Sequence, residues 1–330
     1  MKHQNMIAAW VRVAALFLTV VLFAAGCAKK EEGQPTFNSP EEAVTAFVNA
    51  LQGGDRTELA RLLGPGVDDL LSSGDAVADK ADRDWFLAAY AAKHSIDEDG
   101  TDKMTLSVGD DAWPMPIPIV KTNGRWMLDG DAGADEIVYR RVGRNELDAI
   151  DVCRGFVHAQ QEYAAEGRDG DPAGIYALKL ISDEGMHNGL YWPTADDEPP
   201  SPVGPFVAAA AGEGYRKAEN GARTPYHGYY YRLLYKQGAN ASGGAKEYFK
   251  DGLLTQGFAM VAWPADYGAS GVQTFIVNQD GVVFQKDLGE ETATAVDAIN
   301  SFDPDSSWTA IAPPAGDAAV AAETPAAATN

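Results

Sequence analysis

Only two cysteines, Cys27 and Cys153, occur in the 330 residues, too few for a disulfide-stapled scaffold or a cysteine metal cluster. Histidine is also sparse: the five, at positions 3, 94, 158, 187 and 227, form no HExxH or comparable ligand spacing. Neither a metal nor another cofactor is expected. GxSxG and Ser-x-x-Lys nucleophile motifs are missing as well. Cations are outnumbered, with 26 Lys and Arg against 48 Asp and Glu, for a net charge of −22. Such a chain is repelled by phosphate backbones and anionic headgroups, which argues against nucleic acid as a partner. Long apolar runs are lacking too. The uncharged stretch Val13–Ala25 has 13 residues, where a spanning helix needs about 20.

That stretch instead follows Lys2 and Arg12 and ends at Gly26-Cys27, the layout of a signal peptide over 1–26. Phe23-Ala24-Ala25-Gly26-Cys27 resembles the lipobox of bacterial lipoproteins, with Ala24 where leucine is usual. The resemblance implies that the Cys27 thiol receives diacylglycerol and that cleavage makes it the first residue. A further acyl chain on the new amine would hold the protein to a bilayer where one chain binds reversibly. Residue 28 is alanine and not the aspartate that retains enterobacterial lipoproteins in the inner membrane, so delivery to the outer membrane, facing the periplasm, is expected. Loss of 1–26 leaves 304 residues and, without Lys2 and Arg12, a net charge of −24. With Cys27 acylated, Cys153 has no partner for an intramolecular disulfide.

Small and charged residues over 27–38 suit a tether. At Ser39-Pro40-Glu41-Glu42 a capping residue, a proline at the first helical position and a nearby glutamate open a helix. Ala43, Val44, Phe47, Val48 and Leu51 repeat at helical spacing until Gly53-Gly54. Asp55 and Glu58 start a second helix with Leu59, Leu62 and Leu63. A third, around 82–93, carries Trp85, Phe86, Ala89 and Tyr90. Strands follow at Met104–Val108 and within 115–120, where Pro116 and Pro118 require an edge or an irregular start. Asn123-Gly124 between Val120 and Trp126 marks a hairpin. Carboxylates at Asp97, Asp99 and Asp102 around Gly100 suggest a calcium loop, but Val108 stands where its bidentate glutamate belongs. A solvated turn is expected there.

"SPEEAVTAFVNALQGGD" and "IPIVKTNGRWMLDG" resemble the cystatin-like or nuclear-transport-factor-like modules of bacterial lipoproteins. That likeness implies a shape and no activity. Acidic, glycine-containing 129–136 reads as a linker. Beyond it, Asn145 caps a long helix with Ala149, Val152, Cys153, Phe156, Val157, Gln160 and Tyr163 on one face. Cys153 reads as a small core residue. An irregular stretch follows Pro172, then strands at 229–235, 258–263 and 272–277, the last turning through Asn278–Gly281 into 282–286. A closing helix is expected over 291–302.

"GLYWP" from Gly189, "SPVGPFVAAA" from Ser201, "PYHGYYYRLL" from Pro225 and "GFAMVAWPADYG" from Gly257 resemble the bacterial domain-of-unknown-function family 2950. The likeness implies an exported protein without a defined activity. A fainter likeness joins the long helix ending "AQQEYA" and the late hairpin "GVQTFIVNQDGVVFQKDLG" to the pseudopilin globular domain. Unlike a pilin helix, this one opens with Glu146, Asp148 and Asp151.

The expectation is thus an α+β protein of two domains, each with helices on an antiparallel sheet. Its divisions are a lipoprotein signal peptide (1–26), a tether (27–38), a cystatin-like domain (39–135), a pilin-like domain (136–311) and a disordered Ala/Pro-rich tail (312–330). Its candidate binding residues are Tyr191, Trp192, Tyr226, His227, Tyr229, Tyr231, Trp263 and Tyr267, with Tyr230 nearby. Tyrosine and tryptophan join apolar area to a polar tip, which suits both core packing and stacking on sugars or peptides. Tyr229 and Tyr231 share one strand face and Tyr230 takes the other. The leading function is a non-enzymatic envelope module that binds a protein or cell-wall component and meets the membrane through its lipid anchor. The alternative is an envelope hydrolase using His158, His187 or His227 with Asp183, Glu184 or Asp266, its site lying within 183–267.

Overall fold

The computed structural model describes residues 33–195, 198–213, 215 and 224–312; the expected signal peptide, Cys27 and the tail beyond 312 lie outside them. The chain joins the fold before Ser39. Gln34 Nε2 donates to the carbonyls of Leu62 (2.9 Å) and Leu128 (2.5 Å), and Phe37 bridges Trp126.

Four helices come first: α1 (Pro40–Gly53), α2 (Arg56–Leu63), α3 (Asp68–Leu71) and α4 (Ala76–Ala92). The Ser39 hydroxyl accepts from the Glu42 amide, and Gly54 closes α1 in the left-handed conformation at φ +63°, which glycine adopts without a Cβ penalty. The face so fixed buries Ala43, Val44, Phe47 and Val48 against an antiparallel sheet. Its strands are β1 (His94–Glu98), β2 (Lys103–Val108), β3 (Trp113–Pro114), β4 (Ile119–Thr122) and β5 (Arg125–Leu128), ordered β1-β2-β4-β5 with β3 on β2. Pro116 and Pro118 fall between β3 and β4, outside the ladders. Thr122 pairs with Arg125 around Asn123 (φ +53°) and Gly124 (φ +77°), the two left-handed positions of a hairpin turn.

The segment expected to be a linker is helical. Asp129 caps α5 (Gly130–Ala165), a 36-residue helix whose side-chain cap reaches the Ala132 amide. Its start lies 15 residues ahead of the expected Asn145 cap, because Gly130 and Gly133 let it lie directly on the backbone of the first half. A Cβ on Gly133 would sit 2.5 Å from Ile117 Cα. Farther along, α5 lays Ala149, Cys153, Phe156, Val157 and Tyr163 into the second core.

That core is built on a second antiparallel sheet. After β6 (Lys179–Ile181) and β7 (Gly189–Tyr191), a parallel pair, come α6 (Gly204–Glu213) and the strands β8 (Tyr229–Leu234), β9 (Lys236–Gln237), β10 (Lys246–Glu247), β11 (Phe249–Lys250), β12 (Leu253–Leu254), β13 (Ala259–Pro264), β14 (Gln273–Asn278), β15 (Phe284–Asp287) and β16 (Thr309–Ala310). The sheet order is β16-β15-β14-β13-β8. The Asn278 carboxamide accepts from the Asp280 amide and Gly281 has φ +77°, which turns β14 into β15 as its sequence demands. The expected closing helix over 291–302 is shorter: α7 (Thr292–Ala295) runs into a 3₁₀ turn at Val296–Ala298. The architecture is α+β, and no helix among the described residues is long and apolar enough to cross a membrane.

Candidate functional site

His227 is the most heavily bonded side chain of the candidate set. It follows Pro225-Tyr226 at φ +49°, and Gly228 after it has φ +74°. This left-handed pair swings the ring away from β8 and toward two helices. Nδ1 lies 2.7 Å from the Asp148 carboxylate on α5, and Nε2 lies 2.8 Å from Glu213 at the end of α6. A neutral imidazole donates through one nitrogen only, so satisfying both carboxylates requires the imidazolium. These bonds, Asp148 first and Glu213 after it, raise the pKa of His227 against the opposing effect of burial. Tyr215 stacks on the ring and Tyr226 tilts over it with centroids 4.2 Å apart.

Asp75 lies beneath this group and is 1% exposed. As the α4 cap it accepts from the amides of Val77 and Ala78, and its other oxygen accepts from the Tyr215 hydroxyl and the Gly228 amide, each at 2.9 Å. Nearby, buried Arg141 donates to the carbonyls of Leu70 and Ala269, and Asn145 to that of Ser270. The polar seam therefore ties the first helices to the second sheet through α5.

His187 forms a separate group. Its Nδ1 is 2.7 Å from Asp169 Oδ1, and its amide donates to the same carboxylate. Trp192 meets the His187 ring edge to face at 4.8 Å. The Arg168 guanidinium stands 4.9 Å from the Trp192 centroid and 5.1 Å from that of Tyr163. A histidine fixed by a carboxylate on Nδ1 has the orientation of a general base.

A third region is apolar. The Tyr235 hydroxyl donates to the Leu178 carbonyl, its ring lies 5.6 Å from Phe249, and Phe249 shares the β11–β12 hairpin with Leu253. Leu178, Tyr235, Phe249 and Leu253 are all exposed, as is Ile181 at 50%. Of these, Tyr235 lines an open cavity of about 690 Å³ along β8, which Lys179 and Leu180 of β6 also line.

The candidate aromatics are thus dispersed. Tyr229 is wholly buried, its hydroxyl donating to the Gln273 carbonyl, and Trp263 is 4% exposed beneath Tyr230. Tyr231 shares the α5 face with Tyr229 and borders the cavity. Tyr191 ends β7 beside Trp192 in the His187 group, Tyr226 belongs to the His227 group, and Tyr267 stands apart, its hydroxyl on Asp287. The histidines take partners other than those expected. Asp183 bonds Lys179 and Asn188, and Asp266 accepts through its main-chain carbonyl from Ser270, while His187 takes Asp169 and His227 takes Asp148 and Glu213. His158 projects exposed from α5. Among the described residues no group of three or more histidine, cysteine or carboxylate side chains is placed to hold a metal.

Asp75, Asp148, Glu213 and Tyr215 escaped the sequence reading because no local pattern links them to His227. The bonds to His227 span 79 residues for Asp148 and 14 for Glu213, and Asp75 meets Gly228 across 153. The family model described as "Protein of unknown function (DUF2950)" matches residues 34–311. No curated protein and no solved structure matches the chain.

Proposed function

The chain belongs to the DUF2950 family of proteins of unknown function, and from its surface we propose that it works as a non-enzymatic binding or assembly module of the cell envelope. The reading is of a lipoprotein acylated on Cys27 and facing the periplasm from the outer membrane. The observation that carries it is the contact of three exposed apolar side chains, Tyr235 bonded to Leu178 and its ring against Phe249, since contiguous apolar surface mostly marks an interaction site. His227 supports the same reading, because both its nitrogens are already bonded to carboxylates.

Labelling with a fatty acid in cells tests the anchor: label should vanish in Cys27→Ala. Crosslinking in intact cells followed by affinity recovery tests the binding role. One envelope component should be recovered from the unaltered protein and lost from a Leu178→Asp, Phe249→Asp variant that still folds. Equal recovery by both, or none by either, overturns the reading.

The hydrolase reading rests on one observation, the His187–Asp169 pair beside Trp192. Turnover of a peptidoglycan or peptide substrate that disappears in His187→Ala would favour it over the binding role.

A further inference from the structure

The main-chain bonds of β8 leave a gap at the edge of the second sheet. The Ala265 amide donates to the Gly228 carbonyl at 2.8 Å, and Tyr229 stands opposite Pro264. This fixes the alternation of an antiparallel pair. Gly228, Tyr230, Arg232 and Leu234 turn their main-chain groups toward β13, and Tyr229, Tyr231, Leu233 and Tyr235 turn theirs outward. At one end the outward groups are used: Tyr229 exchanges bonds with Tyr226 at 3.1 and 2.8 Å. At the other end the Tyr235 carbonyl accepts from the Tyr248 amide at 3.0 Å. Between these two closures, Tyr231 and Leu233 enter no ladder or bridge on the outward side among the described residues.

Two amides and two carbonyls therefore face outward, and the open cavity of about 690 Å³ lies against them, between β8 and Lys179-Leu180 of β6. An exposed strand edge is normally blunted by charge, proline or a covering element. This one is covered at both ends and open over a short window.

The lining also has a charge of its own. Lys179, Arg232 and Lys236 stand there against one carboxylate, Glu247, in a chain whose net charge is −22. Lys179 pairs with Asp183. Arg232 donates to the carbonyls of Val296 and Ile299, and its Nε is buried without a partner. Its guanidinium charge is offset by dipoles and not by an anion.

We propose that this window receives an extended segment of a partner polypeptide, added as a short strand beside β8 and carrying an acidic side chain toward Lys236 and Arg232. Main-chain pairing with Tyr231 and Leu233 supplies affinity without regard to sequence, and the cationic lining with Leu180 and Tyr235 beside it selects what is paired. The outward window is three residues long, about 10 Å at the rise of a strand. The inference rests on the binding role proposed above and assigns it a place and a chemistry.

The test uses the full mature chain and a displayed library of random peptides about twelve residues long, with the most enriched peptide then synthesised. Expected are peptides rich in β-branched residues with at least one Asp or Glu. Bound peptide should slow hydrogen exchange at the Tyr231 and Leu233 amides and leave the Tyr230 and Arg232 amides unchanged. Leu233→Pro, which removes one outward amide at a sheet edge, should weaken binding about tenfold or more, and Lys236→Glu about threefold. Lys236→Glu lies on the exposed surface and keeps the test decisive should the proline variant not fold. Absence of enrichment, protection elsewhere, unaltered binding by a folded Leu233→Pro or by Lys236→Glu, or occupation of the window by a second copy of the chain would each overturn the proposal. Recovery of an envelope component that the peptide fails to displace would remove the window and leave the binding role intact.

Discussion

The carboxylate of Asp75 accepts the amide proton of Gly228 at 2.9 Å, across 153 residues of chain. The same side chain caps α4 and receives the Tyr215 hydroxyl. Replacing it with alanine would take the acceptor from the buried Gly228 amide and remove the bond from the half-buried Tyr215 hydroxyl, together costing about 2 kcal/mol or more, and would remove a helix cap, costing about 1 kcal/mol. Asp75→Ala is therefore expected to lose about 3 kcal/mol or more in urea unfolding. Asp55→Ala, which removes only an exposed cap on α2, should lose about 1 kcal/mol. Equal losses would show that the seam contributes nothing beyond capping.

The His227 clamp makes stability fall as pH rises. Its pKa is raised in the folded state from 6.5 by hydrogen bonds to Asp148 and Glu213. The stabilisation is present in full below the unfolded pKa and disappears as pH rises through the higher folded value. Tyr215, Tyr226, Asp148 and Glu213 are the titratable groups packed on the ring, with Asp75 behind Tyr215. His227→Asn removes the imidazole with a residue that tolerates φ +49°. The stability gap between the unaltered chain and this variant should be widest below pH 6.5 and narrow as pH rises above it. A gap that is constant or widens with pH would show that the ring is not held as the imidazolium.

What the sequence disclosed followed the range of the forces involved. The first helix was legible because Ser39, Pro40, the apolar spacing and Gly54 all lie within its own span, and the Asn123-Gly124 turn because its dihedral angles demand those residues. The start of α5 was not. Gly130 and Gly133 favour coil locally, and only the nearness of Leu63 and Ile117 shows why a helix needs them. Strand β1 was missed because it is an exposed edge with only Ile96 half-buried. The partners of His227 come from α5 and α6, which no sequence window joins.

Cys153 is wholly buried on α5, and burial pushes its thiol up to about 12. The thiolate, the form that attacks disulfides, is then negligible at neutral pH. In a chain carrying Cys27→Ser, an aromatic disulfide reagent should fail to label native protein at pH 8 and should react once urea unfolds it. Labelling of the native state faster than global unfolding would place the thiol in a locally opening segment.

Two glycines on one helix should respond to alanine with opposite signs. At Gly143 nothing lies within 4 Å of a new Cβ and the position is exposed, so Gly143→Ala should stabilise α5 by up to about 1 kcal/mol through reduced backbone freedom in the unfolded chain. At Gly133 the same methyl would enter the Ile117 backbone, 2.5 Å from its Cα and 2.6 Å from its nitrogen. Main-chain atoms cannot swing aside as a side chain would, so α5 must lift from the first sheet. Gly133→Ala should cost about 3 kcal/mol, at the upper end of overpacking effects. Thermal unfolding of the two variants reads both signs directly. Stabilisation at 133 would mean that α5 does not dock on the Pro116–Ile117 backbone, and the junction between the two cores would have to be drawn elsewhere.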